Sequence, residues 1–359
     1  MRSEYLHWSK TQSDARFNLA LSGVANLTLG ELPVECDDWE LNGPSRYGYA
    51  PLQQAIARHY GVDPGCVCAV SGASTANHLV MASVVQSGDE VLIEHPAYEP
   101  LISTARYLGA KVKRFPRRFE DGFQLDLAEV KRALTRRTRL MVLTNLHNPS
   151  SVLVGEPVLR ELGEMAQDLK AYVLVDEVYL EALFEQAPRS AFCLGRNFVA
   201  TNSLTKVYGL SGLRCGWALA RPELIDRMWR LNDLFGVIPA HPAERLSVVA
   251  FRHLERIRGR SQALLAANHR LLAAFLAGRM DLEVSGPGAG TVVFPRLRTG
   301  RVEEFCRLLR QKYETTVAPG KFFGMADHIR IGIGGETACL AAGLGRLEEA
   351  LNEHADICS

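Results

Sequence analysis

Short apolar runs alternate with helical patterns between residues 52 and 220. The runs typical of strands are 68–70, 90–94, 111–115, 139–144, 171–175, 197–201 and 216–220. Apolar residues at helical spacing separate several of them, most clearly at 52–60, 75–86, 126–134 and 156–169. Strands that alternate with helices predict an α/β fold, in which helices cover both faces of a mostly parallel sheet.

The pattern changes after residue 220. Helical stretches at 222–234 and 243–277 are followed by a helix at 301–312, a strand at 328–333 and a helix at 338–352. A glycine-rich run at 286–290 precedes a strand-like segment, so it predicts a turn rather than a phosphate loop, which a helix would follow. These patterns predict an irregular N-terminal arm (1–45), a large α/β domain (46–240) and a small α+β C-terminal domain (241–359).

Composition narrows the class of protein. The chain of 359 residues has a formal net charge of +1, so no overall field favours nucleic acid or membrane partners. Its eight cysteines include no C-x-x-C pair, which indicates reduced thiols rather than a disulfide framework or a metal site. The first residues lack the apolar core of a signal peptide, and no run approaches the ~18 apolar residues of a membrane span. We therefore expect a cytoplasmic protein.

The segment from Ser203 to Trp217 carries the most specific chemistry. Lys206 follows a predicted strand and lies between two hydroxyl residues, Ser203 and Thr205, and Arg214. Partial desolvation and a second cation would both lower the pKa of this lysine, and a neutral amine can form a Schiff base with an aldehyde. The hydroxyls and the arginine are donors suited to a phosphate. An aldehyde and a phosphate on one ligand indicate pyridoxal 5'-phosphate.

Other polar residues stand at predicted strand ends. Gly72 to Ser74 opens a helix, and backbone N–H groups there favour an anion. Asp176 ends an apolar strand, where its buried carboxylate needs a strong donor such as a pyridinium N–H. Tyr179 and Asn148 could reach the phenolic oxygen of the cofactor ring, and Tyr98 offers a flat face to it. Because ligands of such sheets bind beyond the carboxyl ends of the strands, we expect these residues to form one site.

On these motifs the chain resembles the class I/II aminotransferases of fold type I, which use pyridoxal phosphate. The resemblance extends from about residue 17 to residue 350. It implies the pyridoxal-phosphate-transferase fold, with a mostly parallel, seven-stranded-type sheet sandwiched by helices and a smaller α+β C-terminal domain. It also implies a homodimer with active sites at the interface, acting on a small amino acid and a 2-oxo acid.

The resemblance implies roles for individual residues. Lys206 is the Schiff-base lysine and moves the proton between substrate and cofactor, Asp176 pairs with the pyridine nitrogen, and Tyr179 binds the phenolic oxygen. The implied cofactor-binding residues are Gly72, Ala73, Ser74, Tyr98, Asn148, Asp176, Tyr179, Ser203, Thr205, Lys206 and Arg214. The implied substrate-binding residues are Gly23, Asn148, Arg330, which holds the α-carboxylate, and Tyr47.

Departures from the family pattern leave the reaction type open. Ser151 replaces a frequent glycine, and Gly43 stands where the partner subunit often supplies a phosphate-binding tyrosine, for which Tyr47 is the candidate substitute. Transamination is the first interpretation. The alternative is a pyridoxal-phosphate-dependent lyase, decarboxylase or cyclase, since residues 21–24 are similar to the arm of capreomycidine-synthase-type enzymes, which cyclise a hydroxyarginine. A non-catalytic binding protein is disfavoured because Lys206 and Arg330 are both present.

Overall fold

The computed structural model describes residues 2–44, 46–285, 289–298 and 301–358, with side chains described as far as residue 354. The predicted turn at 286–290 therefore lies largely outside the described residues. The α-helices are α1 Glu4–Thr11, α2 Ala50–Tyr60, α3 Ala73–Val84, α4 Glu99–Tyr107, α5 Leu127–Ala133, α6 Glu156–Asp168, α7 Pro222–Asn232, α8 His241–Arg252, α9 Leu254–Ala277, α10 Val302–Tyr313 and α11 Thr337–Cys358.

The strands are β1 Phe17–Asn18, β2 Val67–Ser71, β3 Glu90–His95, β4 Lys111–Pro116, β5 Thr138–Thr144, β6 Tyr172–Asp176, β7 Phe198–Ser203, β8 Cys215–Leu219, β9 Leu282–Glu283, β10 Val292–Val293, β11 Arg296–Leu297, β12 Thr315–Thr316, β13 Ala318–Pro319 and β14 Ile329–Gly332. Short 3-10 helices occur at Leu29–Glu31, Cys36–Trp39, Pro64–Cys66, Leu180–Gln186, Ala191–Leu194, Ser211–Leu213 and Gly320–Phe323.

Seven of these strands form the central sheet, in the order β2-β8-β7-β6-β5-β3-β4. The five strands from β7 to β4 are parallel, whereas β8 is antiparallel to both of its neighbours. Each of the seven corresponds to a run predicted as a strand. The predicted α/β class and mostly parallel sheet are confirmed.

Alternating side chains along the strands pack against different helices, as the two-residue period of a strand requires. Leu174 on β6 packs in a cluster with α3, α4 and α7. Its neighbours Val173 and Val175 pack on the opposite face with α5 and α6. The sheet is therefore covered on both faces by helices.

The N-terminal arm is more ordered than predicted. Residues 4–11 form α1, capped by the Ser3 hydroxyl, which accepts from the Leu6 N–H. The following residues 17–18 pair in parallel with β12 of the C-terminal region. The prediction of an irregular arm is wrong for residues 4–11. A helix this short gives little signal in the sequence, and it is held by contacts with distant residues, among them Glu99–Tyr107.

The predicted helix at 243–277 is two helices, separated at His253. The backbone there leaves the helical region, with φ −115° and ψ 19°. The segment contains no proline, and α8 packs against α2 whereas α9 packs against α11, so tertiary contacts rather than a local breaker separate them. The domain boundaries at 45 and 240 remain predictions.

None of the helices described is long and apolar enough to cross a membrane.

Candidate active site

A cavity of about 220 Å³ lies beyond the carboxyl ends of β5, β6 and β7, beside the N-terminus of α3. The predicted residues that line it are Ala73, Ser74, Tyr98, Asn148, Asp176, Tyr179, Ser203, Thr205, Lys206 and Arg214. The expectation that strand ends bring these residues together is thereby met.

Asp176 forms the floor of the cavity. One of its oxygens, Oδ2, accepts a hydrogen bond of 2.8 Å from Asn77 Nδ2, and Asn77 Oδ1 in turn accepts one of 2.6 Å from Thr201. The other oxygen has a longer contact, 3.3 Å, to the N–H of Val178. Burial raises the pKa of Asp176 to about 6, although these hydrogen bonds and the charge of Lys206 lower it. No ion pair holds this carboxylate among the described residues, so a cationic N–H donor would stabilise it.

Lys206 lies on the loop after β7, with its side chain mostly buried. Its Nζ donates to Ser22 Oγ at 3.0 Å and lies 5.9 Å from the centre of the Tyr179 ring. Burial lowers the pKa of Lys206; Tyr5 and Asp176 act against this, and the cations Arg330 and Arg214 reinforce it. The lysine is therefore biased toward the neutral amine, which is the nucleophilic form.

Gly72 and the Arg214 guanidinium lie against each other at the start of α3. Gly72 is the N-cap with φ +89°, and a side chain there would collide with the Arg214 guanidinium. A Cβ at Gly216 on β8 would likewise overlap the backbone of Gly72 and Ala73, so this glycine allows the strand to approach the helix. In the described structure the Thr75 N–H donates to Gly72 O, whereas the N–H groups of Ala73 and Ser74 stand at the start of the helix, where an anion is favoured.

The loop that carries Asn148 is fixed by a buried polar network. Glu94 and Arg117 form an ion pair of 2.7 Å, and Glu94 also accepts from the backbone N–H of Thr144. His147 binds Pro96 O and Ser150 Oγ through its two ring nitrogens, at 3.0 and 2.6 Å. His147, which precedes Asn148, is therefore held at both nitrogens of its ring.

Arg330 on β14 is fully buried and is outside the set of described residues that line the cavity, but it contacts Asn148, which does line it. Its Nη1 donates to Asn148 Oδ1 at 2.9 Å, and its Nη2 donates to the Tyr5 hydroxyl at 2.8 Å and to Ala20 O at 2.9 Å. Its Nε has no hydrogen-bond partner among the described residues. A donor left unpaired and buried marks this guanidinium as ready for an anionic acceptor.

Tyr179 and Tyr98 form part of the cavity wall. The Tyr179 hydroxyl donates to Ser22 Oγ at 2.8 Å, and burial raises the pKa of Tyr179. Tyr98 is half-buried, and its ring lies edge-on to that of Tyr5, with centroids 5.7 Å apart.

Gly23 and Tyr47 are predicted site residues that are outside the set of described residues lining the cavity. A Cβ at Gly23 would be 3.4 Å from Lys206 O, and the adjacent Val24 N–H donates to that oxygen, so Gly23 backs onto the main chain of the lysine loop. The Tyr47 hydroxyl donates to Asp233 at 3.3 Å and its ring lies beside Trp229. Tyr47 is outside the set of described residues that line the cavity of its own chain.

Comparison with known proteins agrees with this geometry. A family model described as aminotransferase class I and II matches residues 39–347, most of the chain. The chain belongs to the class I and II aminotransferase family. As a member of this family it is a pyridoxal-phosphate-dependent transferase.

The similar proteins include one named a synthase, one named an aminotransferase and one named a cyclase. Capreomycidine synthase of Streptomyces vinaceus is 33% identical over 359 residues, a match that covers 95% of this chain and 91% of the relative. A solved PLP-dependent aminotransferase from Streptococcus suis 89-1591 has a TM-score of 0.93 at 26% identity, with 98% of both chains covered. The PLP-dependent cyclase OrfR, solved in complex with Au, has a TM-score of 0.90 at 26% identity, covering 99% of this chain and 98% of its own.

The cavity of this aminotransferase-family chain has the acceptor, donor and amine groups that pyridoxal 5'-phosphate needs. Asp176 lacks a cationic partner among the described residues, and a ring N–H would supply one. The open backbone at Gly72, together with Arg214, suits a phosphate, and the amine of Lys206 suits an aldehyde. When bound, the cofactor acts as an electron sink for charge that develops at the substrate Cα.

Sequence reasoning missed several side chains in or beside this cavity, namely Tyr5, Leu6, Ser22, Asn77, Thr144 and Val178. Asn77 could have been found, because it is a polar residue on the otherwise apolar face of α3. Ser22 stood beside Gly23 in the arm. Tyr5 and Leu6 carried no local signal, since they reach the site only through the docking of α1.

Proposed function

We propose that this enzyme transfers the amino group of an L-amino acid to a 2-oxo acid. The observation that carries the proposal is the link between Arg330 and the cavity. Its guanidinium hydrogen-bonds Asn148, which lines the same cavity as Lys206. A carboxylate on Arg330 would place the substrate Cα within reach of the Lys206 amine. Charge-assisted, forked recognition of this kind is what an α-amino acid requires.

In this proposal the residues of the floor hold the cofactor. Asp176 pairs with the ring nitrogen, Tyr179 and Asn148 contact the phenolic oxygen, and Tyr98 packs against the ring. The phosphate is held by Gly72, Ala73, Ser74, Ser203, Thr205 and Arg214. Support comes from the cavity that all of these residues except Gly72 line, and from the lack of an ion pair to the Asp176 carboxylate within the described structure.

Lys206 acts as the base in the proposed reaction. Its Nζ would take the proton from the substrate Cα and hold it for return, which requires the neutral amine that burial favours, while the bound cofactor would supply the electron sink. Arg330 keeps the carboxylate still during the transfer, and the backbone at Gly23 contacts the same carboxylate. Positioning of this type accounts for a large share of enzymatic rate enhancement.

Nitrogen tracing tests the proposal. The cofactor-loaded enzyme is mixed with single ¹⁵N-labelled amino acids, and a 2-oxo acid is added in a second step. Transamination predicts one equivalent of unlabelled keto acid per site in the first step and ¹⁵N in the new amino acid after the second. An amino acid that is consumed without keto acid and without transfer of ¹⁵N would refute it.

A second candidate is ring closure of an amino acid at the same site. It is favoured by the likeness to capreomycidine synthase, at 33% identity over 95% of the chain, and by the likeness to the cyclase OrfR. The same tracing separates the two, because a cyclisation retains the ¹⁵N in its product and needs no 2-oxo acid.

We further propose that the enzyme is a cytoplasmic homodimer in which Tyr47 serves the partner's site. Apolar side chains at Leu234, Phe235 and Val237 are 75%, 66% and 62% exposed, which is suited to burial against a second subunit. Light scattering at micromolar concentration should give twice the mass of the chain, and Tyr47→Phe should weaken cofactor retention. A monomer with full activity would refute the dimer.

A further inference from the structure

Ser22 lies between two groups of the active site. Its Oγ accepts a hydrogen bond from Lys206 Nζ at 3.0 Å and another from the Tyr179 hydroxyl at 2.8 Å. The residue is buried, with 7% of its surface exposed. One hydroxyl thus ties the reactive amine to the phenol that faces the cofactor cavity.

The backbone around Ser22 is held on two sides. Thr291, itself fully buried, donates its hydroxyl to Ser22 O at 2.7 Å. The Gly332 N–H donates to Leu19 O at 2.6 Å, and a side chain at Gly332 would collide with Leu21 O. The arm therefore crosses β14, the strand of Arg330, in close contact.

The other side of the arm is joined to the lysine loop, because the Val24 N–H donates to Lys206 O at 2.8 Å. Ser22 thus has a fixed position relative to both Arg330 and Lys206. A hydroxyl fixed in this way can orient a flexible amine, whereas a mobile surface serine could not.

We infer that Ser22 is a positioning residue for Lys206, which holds one N–H of the amine so that its lone pair points into the cavity. Lysine has four side-chain torsions, so an amine without this partner samples positions from which it reaches neither the cofactor aldehyde nor the substrate Cα. Ser22 also donates to the Tyr179 oxygen when that phenol ionises, which lowers the pKa of Tyr179 against the effect of burial. It acts through Lys206 and Tyr179 rather than on the substrate.

The inference rests on the proposed function for the Cα proton transfer, but not for cofactor attachment. Two measurements therefore test it separately. The first is the rate at which cofactor-free protein acquires the visible absorbance of bound pyridoxal 5'-phosphate. The second is the single-turnover rate with an amino acid and with its α-deuterated form.

Four variants give the comparison. Ser22→Ala removes the hydroxyl, and Ser22→Cys keeps the volume but offers only a weak acceptor. Ser22→Thr retains the hydroxyl. Ser13→Ala is the matched control, since Ser13 is a buried serine of the same arm whose hydroxyl donates to Ser9 O, also in the arm.

Ser22→Ala and Ser22→Cys should bind one cofactor per chain and unfold at the same temperature as the wild type, but acquire the cofactor about tenfold more slowly. Their single-turnover rate should fall about 10- to 100-fold with KM nearly unchanged, and the deuterium isotope effect should rise, as expected when an amine is misplaced. Ser22→Thr should restore most of both rates, and Ser13→Ala should leave both unchanged.

Rates of Ser22→Ala and Ser22→Cys within twofold of the wild type would overturn the inference, and so would an equal loss in Ser22→Thr. If the wild type released no keto acid, the proposed transamination would fail, and the rate of cofactor attachment would still decide the role of Ser22.

Discussion

The floor and the mouth of the active site are built in different ways. The floor, Asp176 with Asn77 and Thr201, consists of residues on β6, α3 and β7, inside the central sheet and its first helix. The mouth, Tyr5, Ser22 and Arg330, is assembled from the N-terminal arm and a C-terminal strand up to 325 residues apart in sequence. The floor is therefore fixed by the packing of the sheet, whereas the mouth depends on the docking of the arm. The contacts of Asp176 therefore depend on the sheet and its first helix, whereas the contacts of Arg330 also depend on the position of α1.

Lys206 contacts Ser22 of the mouth and lines the cavity together with Asp176 of the floor, and its substitution should reduce activity the most. Lys206→Ala should abolish the visible band of the attached cofactor and lower the turnover number by about 10⁴-fold or more, because it removes both the attachment point and the base. Absorbance and turnover measurements test this, with Lys131→Ala on the exposed face of α5 as the control. A variant that kept the band would contradict the assignment.

Asp176→Asn tests the floor. Loss of the charge that pairs with the cofactor ring should lower kcat by roughly 10²- to 10³-fold, in the range seen when a preorganised electrostatic group is removed. KM should change little. The exposed Asp226→Asn on α7 serves as the control. Equal kcat values for wild type and Asp176→Asn would show that the floor carries no such charge interaction.

The same substitution should have the opposite effect on stability without cofactor. Folding raises the pKa of Asp176 from 3.8 to about 6, so the protonated carboxyl is favoured in the fold. The stability that the protonated Asp176 carboxyl gives to the fold is fully present below pH 3.8 and is lost as pH rises through 6. At about 1.4 kcal/mol for each pKa unit, the ionised carboxylate destabilises the cofactor-free fold at pH 7 by about 3 kcal/mol. In denaturant unfolding without cofactor, the free energy of unfolding of Asp176→Asn should exceed that of the wild type by about 3 kcal/mol at pH 7 and by little at pH 4. A lower value than the wild type at pH 7 would contradict this prediction.

Arg330→Lys tests the mouth. A lysine cannot form the forked contact with a carboxylate, so kcat/KM for α-amino acids should fall about 100-fold. The cofactor spectrum should be unchanged, and turnover of the corresponding amine without a carboxylate should not fall. A similar loss on that amine would show that Arg330 acts on the cofactor or the fold instead.

Tyr5→Phe should give the smallest effect. It removes the hydroxyl that accepts from Arg330 Nη2 but keeps the aromatic packing with Phe322 and Phe323. One hydrogen bond of about 0.5–1.5 kcal/mol corresponds to a rise in KM of roughly two- to tenfold. The exposed Tyr107→Phe is the matched control. No change in KM would place Tyr5 outside the substrate region.

Most of the fold and the position of Asp176 followed from sequence because their signals are local. An apolar run such as 171–175 predicts a buried strand, and a carboxylate directly after it, Asp176, must stand at the edge of the sheet. The motif around Lys206 likewise follows a strand. These predictions needed no knowledge of distant contacts.

The mouth could not be predicted in the same way. Tyr5 belongs to a short helix with little apolar periodicity of its own, and it meets Arg330 only after the chain has folded. The break at His253 has the same origin, since neither glycine nor proline marks it. Tyr47 contacts Asp233 rather than the cavity of its own chain, so the role that we propose for it requires a second subunit.

The most direct test of the account is to find where the cofactor is attached. The enzyme is loaded with pyridoxal 5'-phosphate, reduced with borohydride, digested and analysed by tandem mass spectrometry. The account predicts the reduced cofactor on Lys206 alone, at one equivalent per chain. Attachment to a different lysine, or an unmodified Lys206 in protein that retains full activity, would contradict it.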